Sequence, residues 1–155
     1  MFQILRHLGN HRLAVRVICC IIVFVAVLSF LYTRSYPDQV RLNGKVFNVE
    51  VVDTRVLLEK GLAGHQPLSN DEGMLFVFQT PEKYGFWMKD MTFPIDIFWI
   101  DDNRSVVHIE KSVSPDTYPQ IFYPEEKNLY VLETAAGQAE ELNTKIGDKL
   151  EFIRN

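Results

Sequence analysis

The sequence predicts a mainly β domain, an antiparallel sandwich or barrel carrying one or two short helices, set behind a single N-terminal transmembrane helix. Three observations lead there. Residues 1–36 contain no acid and include an uncharged apolar run. The rest of the chain breaks into short apolar stretches, several with period-two alternation, separated by clusters of Gly, Pro, Asn and Asp. Within that part only two short stretches carry a helical pattern. Many short strands with few helical patches fit a sandwich or barrel better than an alternating α/β fold.

The run Val17–Tyr32, VICCIIVFVAVLSFLY, is uncharged. Counted from Leu13 it approaches the ~20 apolar residues that cross a bilayer, with Arg16 near enough to the end to reach the headgroups. A cleaved signal peptide shares the basic start and the apolar core. Val27-Leu28-Ser29-Phe30-Leu31-Tyr32 offers no small-x-small cleavage site, however, so the expectation is an uncleaved signal anchor over residues 13–33. Residues 1–12 then form a short basic arm and residues 34–39 a linker. Arg12 and Arg16 before the span outweigh Arg34 after it, which places the N-terminus in the cytoplasm and the domain of residues 40–155 outside it. Cys19 and Cys20 both lie in the apolar run, so the exported domain has no thiol and tolerates an oxidising compartment.

Charge narrows the partners. Beyond residue 36 stand 12 bases against 20 acids, a net charge of −8, which argues against nucleic acid and against an anionic membrane surface as the main partner. The chain has no phosphate-cradling glycine loop and no nucleophile elbow. His65 and His108, the histidines outside the N-terminal arm, lack a second ligand at metal-site spacing, so no metal and no cofactor is expected.

Taken in order, Val40-Arg41-Leu42 and Lys45–Val52 flank Asn43-Gly44, a strong hairpin signal. Asp53-Thr54 caps a short helix over Arg55–Lys60, and Gly61 stops it. After the polar turn Leu68–Gly73, the run Met74–Phe78 is continuously apolar and reads as a strand covered on both faces. Phe86–Met91 and Ile95–Asp101 follow as two strands separated by Thr92-Phe93-Pro94, where proline removes a ladder donor. Ser105–Val113 is another strand. Ser114–Asn128 is a long connection with three prolines and interleaved aromatics, either a lid of side chains over the end of the domain or a binding loop. Leu129–Thr134 reads as a strand, Ala135–Leu142 as a short helix, and Asp148–Ile153 as the closing strand.

The chemistry concentrates in Tyr84–Asp101, which holds both tryptophans beside a few isolated charges. A strand over Ile95–Asp101 puts Ile95, Ile97 and Trp99 on one face and Asp96, Phe98 and Ile100 on the other. The Asp96 carboxylate thus sits on an apolar face, costly unless partnered. Lys89 and Asp90 are the nearest charges. Two readings stand side by side: Asp96 accepts backbone N–H bonds or caps a turn while Lys89 is solvated, or Lys89 and Asp96 line a concave site walled by Trp87.

The motifs KGLAGH (Lys60–His65), GMLFVF (Gly73–Phe78), FWMKDMTFPIDIFWID (Phe86–Asp101), VVHIEKSVSP (Val106–Pro115), YVLETAAG (Tyr130–Gly137) and IGDKLEF (Ile146–Phe152), in that order, resemble the domain-of-unknown-function family 192 across nearly the whole exported domain. The resemblance implies a compact β-sandwich of jelly-roll type behind a signal peptide or membrane anchor, with no established biochemical activity. One departure is Gly61-Leu62-Ala63-Gly64-His65, where the family typically continues to an arginine. The family's recurring positions fall on Gly61, Gly73, Trp87, Met88, Lys89, Pro94, Asp96, Glu133, Gly137, Gly147 and Asp148, of which Trp87, Lys89, Asp96 and Glu133 are the candidate ligand-binding residues. Glu133 ends an apolar strand and needs a partner, for which Lys89 is the obvious donor.

The expected function is a non-catalytic ligand-binding or accessory module of the cell envelope. It would hold an envelope polysaccharide, peptide or protein partner on an aromatic surface such as Trp87, Trp99, Tyr118 and Tyr123. One alternative is a hydrolase or lyase with Asp96 and Glu133 as an acid–base pair tuned by Lys89. A second is a structural interaction domain in which the lysine and carboxylates lock the fold.

Overall fold

The computed structural model describes residues 17–24 and 36–153. Residues 17–24 are helical, and the rest of the anchor expected over residues 13–33 lies outside the described residues. Among the described residues no helix is long and apolar enough to cross a membrane. The chain divides into two units, Met1–Ser35 and Tyr36–Asn155, and the fold below is that of the second.

Its elements are β1 (Gln39–Leu42), β2 (Lys45–Val52), α1 (Arg55–Lys60), β3 (Glu72–Glu82), β4 (Phe86–Trp87), β5 (Ile95–Ile100), β6 (Val106–Val113), a 3-10 turn (Pro115–Thr117), β7 (Ile121–Phe122), β8 (Asn128–Ala135), α2 (Gln138–Glu141) and β9 (Leu150–Ile153). Asn43 and Gly44 turn the β1–β2 hairpin with φ of 47° and 86°, the left-handed geometry that an Asn-Gly pair accommodates at little cost. Seven strands form one sheet in the order β6-β5-β8-β3-β2-β1-β9, while β4 and β7 form a separate two-stranded ribbon.

The domain is mainly β, but it is not two stacked antiparallel sheets. β2 and β3 pair in parallel, Val49 opposite Gly73 and Val51 opposite Leu75, so the chain needs a crossover between them, and α1 lies in it. The sheet also curls until its two edge strands meet at one end. Ser105 bridges to Lys149, Val106 N–H donates to the Asp148 carbonyl at 2.8 Å and Leu150 N–H to Arg104 at 2.9 Å, giving a half-barrel. The continuous apolar runs of β3 and β5 go with burial on both faces, and a second sheet is only one way to achieve it.

Inside the curl, Val40, Leu42, Phe47, Leu75, Phe98, Leu132 and Leu150 pack together. On the outer face of β3, β5 and β8, a second core sets Met74, Phe76, Ile97, Trp99 and Val131 against Leu62, Phe86, Met88 and Phe93. The covering layer there is the segment after α1 and the chain around β4. Each such side chain contributes roughly 1.5–3 kcal/mol on burial. Phe86 meets Phe76 edge-on at 4.8 Å and Trp99 at 5.7 Å. β5 is buried along its whole length, and Trp99 satisfies its indole N–H on the Tyr84 carbonyl at 2.8 Å.

Two segments depart from expectation. The strand expected over Phe86–Met91 ends at Trp87, since Asp90 adopts φ 58° and Met91 N–H folds back to the Met88 carbonyl at 3.3 Å. The connection Ser114–Asn128 contains the 3-10 turn and β7, which pairs Ile121 with Trp87 and Phe122 with Phe86.

Candidate functional site

Because β4 alternates faces, Phe86 points into the outer core and Trp87 stands 47% exposed. The turn that follows carries Lys89 past the Trp87 ring, with the ammonium 5.7 Å from the ring centroid, a cation–π contact. Beside it Tyr84 stacks on Phe78 with centroids 3.5 Å apart and planes 9° off parallel, and its hydroxyl donates to the Thr80 carbonyl at 2.8 Å. These residues and α1 with its trailing Gly61-Leu62-Ala63 enclose an open groove of about 1010 Å³ over β3 and β5.

Glu133 also lines this groove. In β8 it lies opposite Met74 on one side and Ile97 on the other, so its cross-strand neighbours are apolar. The residue is 5% exposed. Burial alone raises its pKa from the ordinary carboxylate range to about 8, and it is therefore a neutral acid at pH 7. Lys89, expected as its donor, makes no ion pair among the described residues.

Asp96 lies elsewhere. The register sets it opposite Thr134, one residue from Ile97 and Glu133, so it faces the other side of the sheet. There it is fully buried and accepts two backbone N–H bonds, from Ser112 at 2.7 Å and from Ala139 at 2.6 Å. The first answers a local need. The β5–β6 register shifts between Ile95 and Ile97, and Ser112 has φ 49°, so a bulge leaves its N–H to be satisfied by a side chain. The second caps the first turn of α2, whose own N-cap residue, Gly137, offers no side chain. Asp96 is thus a structural cap, as the first of the two sequence readings has it.

The geometry therefore brings together Trp87, Lys89 and Glu133 and separates Asp96 from them. A catalytic pair of Asp96 and Glu133 is not available, because one substrate cannot touch carboxyls on opposite faces of a sheet. Trp99 is fully buried and cannot be a platform. Tyr118, 46% exposed, meets Trp87 edge-on at 6.0 Å, outside the groove lining. From sequence, Gly61 has only a structural, helix-stopping role, and nothing points to Phe78 or the α1 wall. The crossover between β2 and β3 places α1 and Gly61 at the site, and β3 places Phe78.

The remaining titratable groups offer no competing centre. Among the described residues no group of three or more His, Cys, Asp and Glu side chains could hold a metal ion. His108 Nε2 lies 3.0 Å from Glu110, and its ring meets Trp99 edge-on at 5.1 Å.

Solved structures share the fold, among them these two. A protein of unknown function from Novosphingobium aromaticivorans DSM 12444 is 31% identical with a TM-score of 0.70, the match covering 74% of this chain and 84% of that one. A protein from Sinorhizobium meliloti 1021, described as a candidate transcription regulator, is 28% identical with a TM-score of 0.69, covering 77% and 97%. No curated protein matches the chain. The model of the family DUF192, described as Uncharacterized ACR, matches residues 38–152, and the chain belongs to that family.

Proposed function

We propose that the protein is a non-catalytic binding module of the cell envelope, held at the membrane by residues 13–33, whose ligand occupies the groove between α1 and β4. One observation carries the reading: a buried carboxyl with apolar cross-strand neighbours, Glu133, borders an open aromatic-walled groove. Ligand sites are largely apolar concavities with a few convergent polar groups, and Glu133 and Lys89 are such groups here. The groove has no activated nucleophile, and its other carboxyls, Asp53, Glu59 and Asp90, are exposed rather than buried beside Glu133, which favours binding over turnover. Regulation of transcription, suggested by the description of the Sinorhizobium relative, is disfavoured by a domain charge of −8.

The test is a thermal-shift screen of the full chain in mild detergent against neutral oligosaccharides, cell-wall glycan fragments, short peptides and divalent metal salts. A compound class that raises the melting temperature of the native protein, and does so less for Lys89→Ala, supports the groove. If no class shifts the native protein and Lys89→Ala melts far below it, the lysine is scaffold and the reading fails.

A further inference from the structure

The groove's chemistry narrows its occupant, an argument that rests on the binding reading above. Of the buried polar side chains described, Asp96, Asn128, Thr134 and Gln138 all make hydrogen bonds within the domain. The Thr144 hydroxyl has no partner. The Glu133 carboxyl, too, makes no hydrogen bond or ion pair with another described residue, and burial raises its pKa. Thr144 is not part of the groove wall, whereas Glu133 is. An unpartnered acid bordering an open groove is a group waiting for a ligand's donor and acceptor.

We propose that the groove takes an uncharged oligosaccharide, with adjacent hydroxyls of one sugar meeting the Glu133 carboxyl and the apolar face of a pyranose ring lying against Trp87.

Charge is the first support. Arg55, Lys60 and Lys89 line the groove against Asp53, Glu59 and Asp90, so its fixed charges cancel, and the strand residues Phe76, Phe78, Gln79 and Ile95 add none. Nothing in this balance favours a strongly charged ligand. A cationic ligand would have to pull a proton from Glu133 and would meet Lys89. An anionic one could use only the O–H and would leave the carbonyl oxygen without a donor in an apolar setting.

The form of the acid is the second. A protonated carboxyl presents one O–H donor and one carbonyl acceptor on the same side. Adjacent sugar hydroxyls match that pair, since each can donate or accept. A trans peptide unit does not, because its N–H and C=O point in opposite directions. Trp87, nearly half exposed at the rim, supplies the flat apolar surface that a pyranose face covers. The groove's volume sits at the top of the range for drug-sized ligands, which suits more than one ring.

The experiment is isothermal titration of the full chain in detergent with the neutral hexamers of β-1,4-glucose, α-1,4-glucose and β-1,4-N-acetylglucosamine. A hexauronate and an uncharged hexapeptide serve as counter-probes. At least one neutral hexamer is expected to bind, more tightly than either counter-probe. Glu133→Leu, which suits the apolar surroundings and should fold, is expected to weaken that binding tenfold or more, as is Trp87→Ala at its exposed position. Asp102→Asn, in an exposed turn away from the groove, is the control and should bind as the native protein does. If no neutral hexamer binds, or the hexauronate or hexapeptide binds more tightly, the sugar assignment is overturned. In that event, loss of counter-probe binding in Glu133→Leu would leave the groove reading intact. If a neutral hexamer binds equally to the native protein, Glu133→Leu and Trp87→Ala, the sugar class survives and the groove reading falls.

Discussion

Replacing Glu133 by Gln should stabilise the protein, and by an amount that depends on pH. Glu133 is buried and keeps its proton until about pH 8, while the same side chain in the unfolded chain ionises from about pH 4.5. Between these values the native state holds a proton that the unfolded state has released. Stability is therefore fullest below pH 4.5, falls as pH rises, and levels off above pH 8. Each pH unit in the window costs about 1.4 kcal/mol, so the penalty is roughly 3 kcal/mol at pH 7 and roughly 5 kcal/mol above pH 8. Gln keeps the volume and a donor and acceptor but does not titrate. At roughly 4 °C per kcal/mol for a domain of this size, Glu133→Gln should melt on the order of 10 °C above the native protein at pH 7. Near pH 4.5 the two should melt together. Water entering from the groove would lower the size of the effect but not its sign. The assay is thermal unfolding by circular dichroism of both proteins from pH 4.5 to 9. A difference that stays flat across this range, or grows as pH falls, would refute the reasoning, the second being the signature of a native ion pair with Lys89.

The other buried acid behaves in the opposite way. Asp96→Asn keeps one acceptor and turns an amide NH₂ toward either Ser112 N–H or Ala139 N–H, and should cost about 2–4 kcal/mol, read as a lower denaturant midpoint at unchanged slope. Gly73→Ala should also destabilise, because its Cβ would lie 2.9 Å from the Glu133 carbonyl oxygen and 3.2 Å from the Leu132 side chain. Overpacking of this kind costs about 1–3 kcal/mol, and equal melting temperatures for Gly73→Ala and the native protein would show that β3 and β8 can separate freely.

Local signals were legible in the sequence where a short stretch determines its own structure. The Asn43-Gly44 hairpin, the short helix stopped by Gly61 and the doubly covered strand through Met74–Phe78 all appear where expected. The period-two reading of Ile95–Ile100 is also right, since Asp96, Phe98 and Ile100 do share a face. What depends on pairing was not legible. The parallel partnership of β2 and β3 joins residues more than twenty positions apart, and its clue, a helix between two strands, was compatible with other topologies. The turn at Asp90 uses a left-handed residue with no glycine to announce it. β7 is two residues long, too short to carry a pattern. The site was misgrouped for the same reason. Asp96 and Glu133 are one register step from facing each other, and a register step is invisible until the strands are paired.

That single step also separates two solutions to one problem. Both carboxyls are taken out of water among large apolar side chains. Asp96 is compensated within the fold by two backbone amides that a bulge and a helix start leave available, so it contributes to the architecture as a hydrogen-bonded cap. Glu133 has no such compensation and lowers stability at neutral pH, where a leucine opposite Met74 and Ile97 would not. The architecture thus gives a reason for an acid at position 96 and none at 133. The binding reading proposed above assigns Glu133 a role on its open side, in the groove that Trp87 and Lys89 also line.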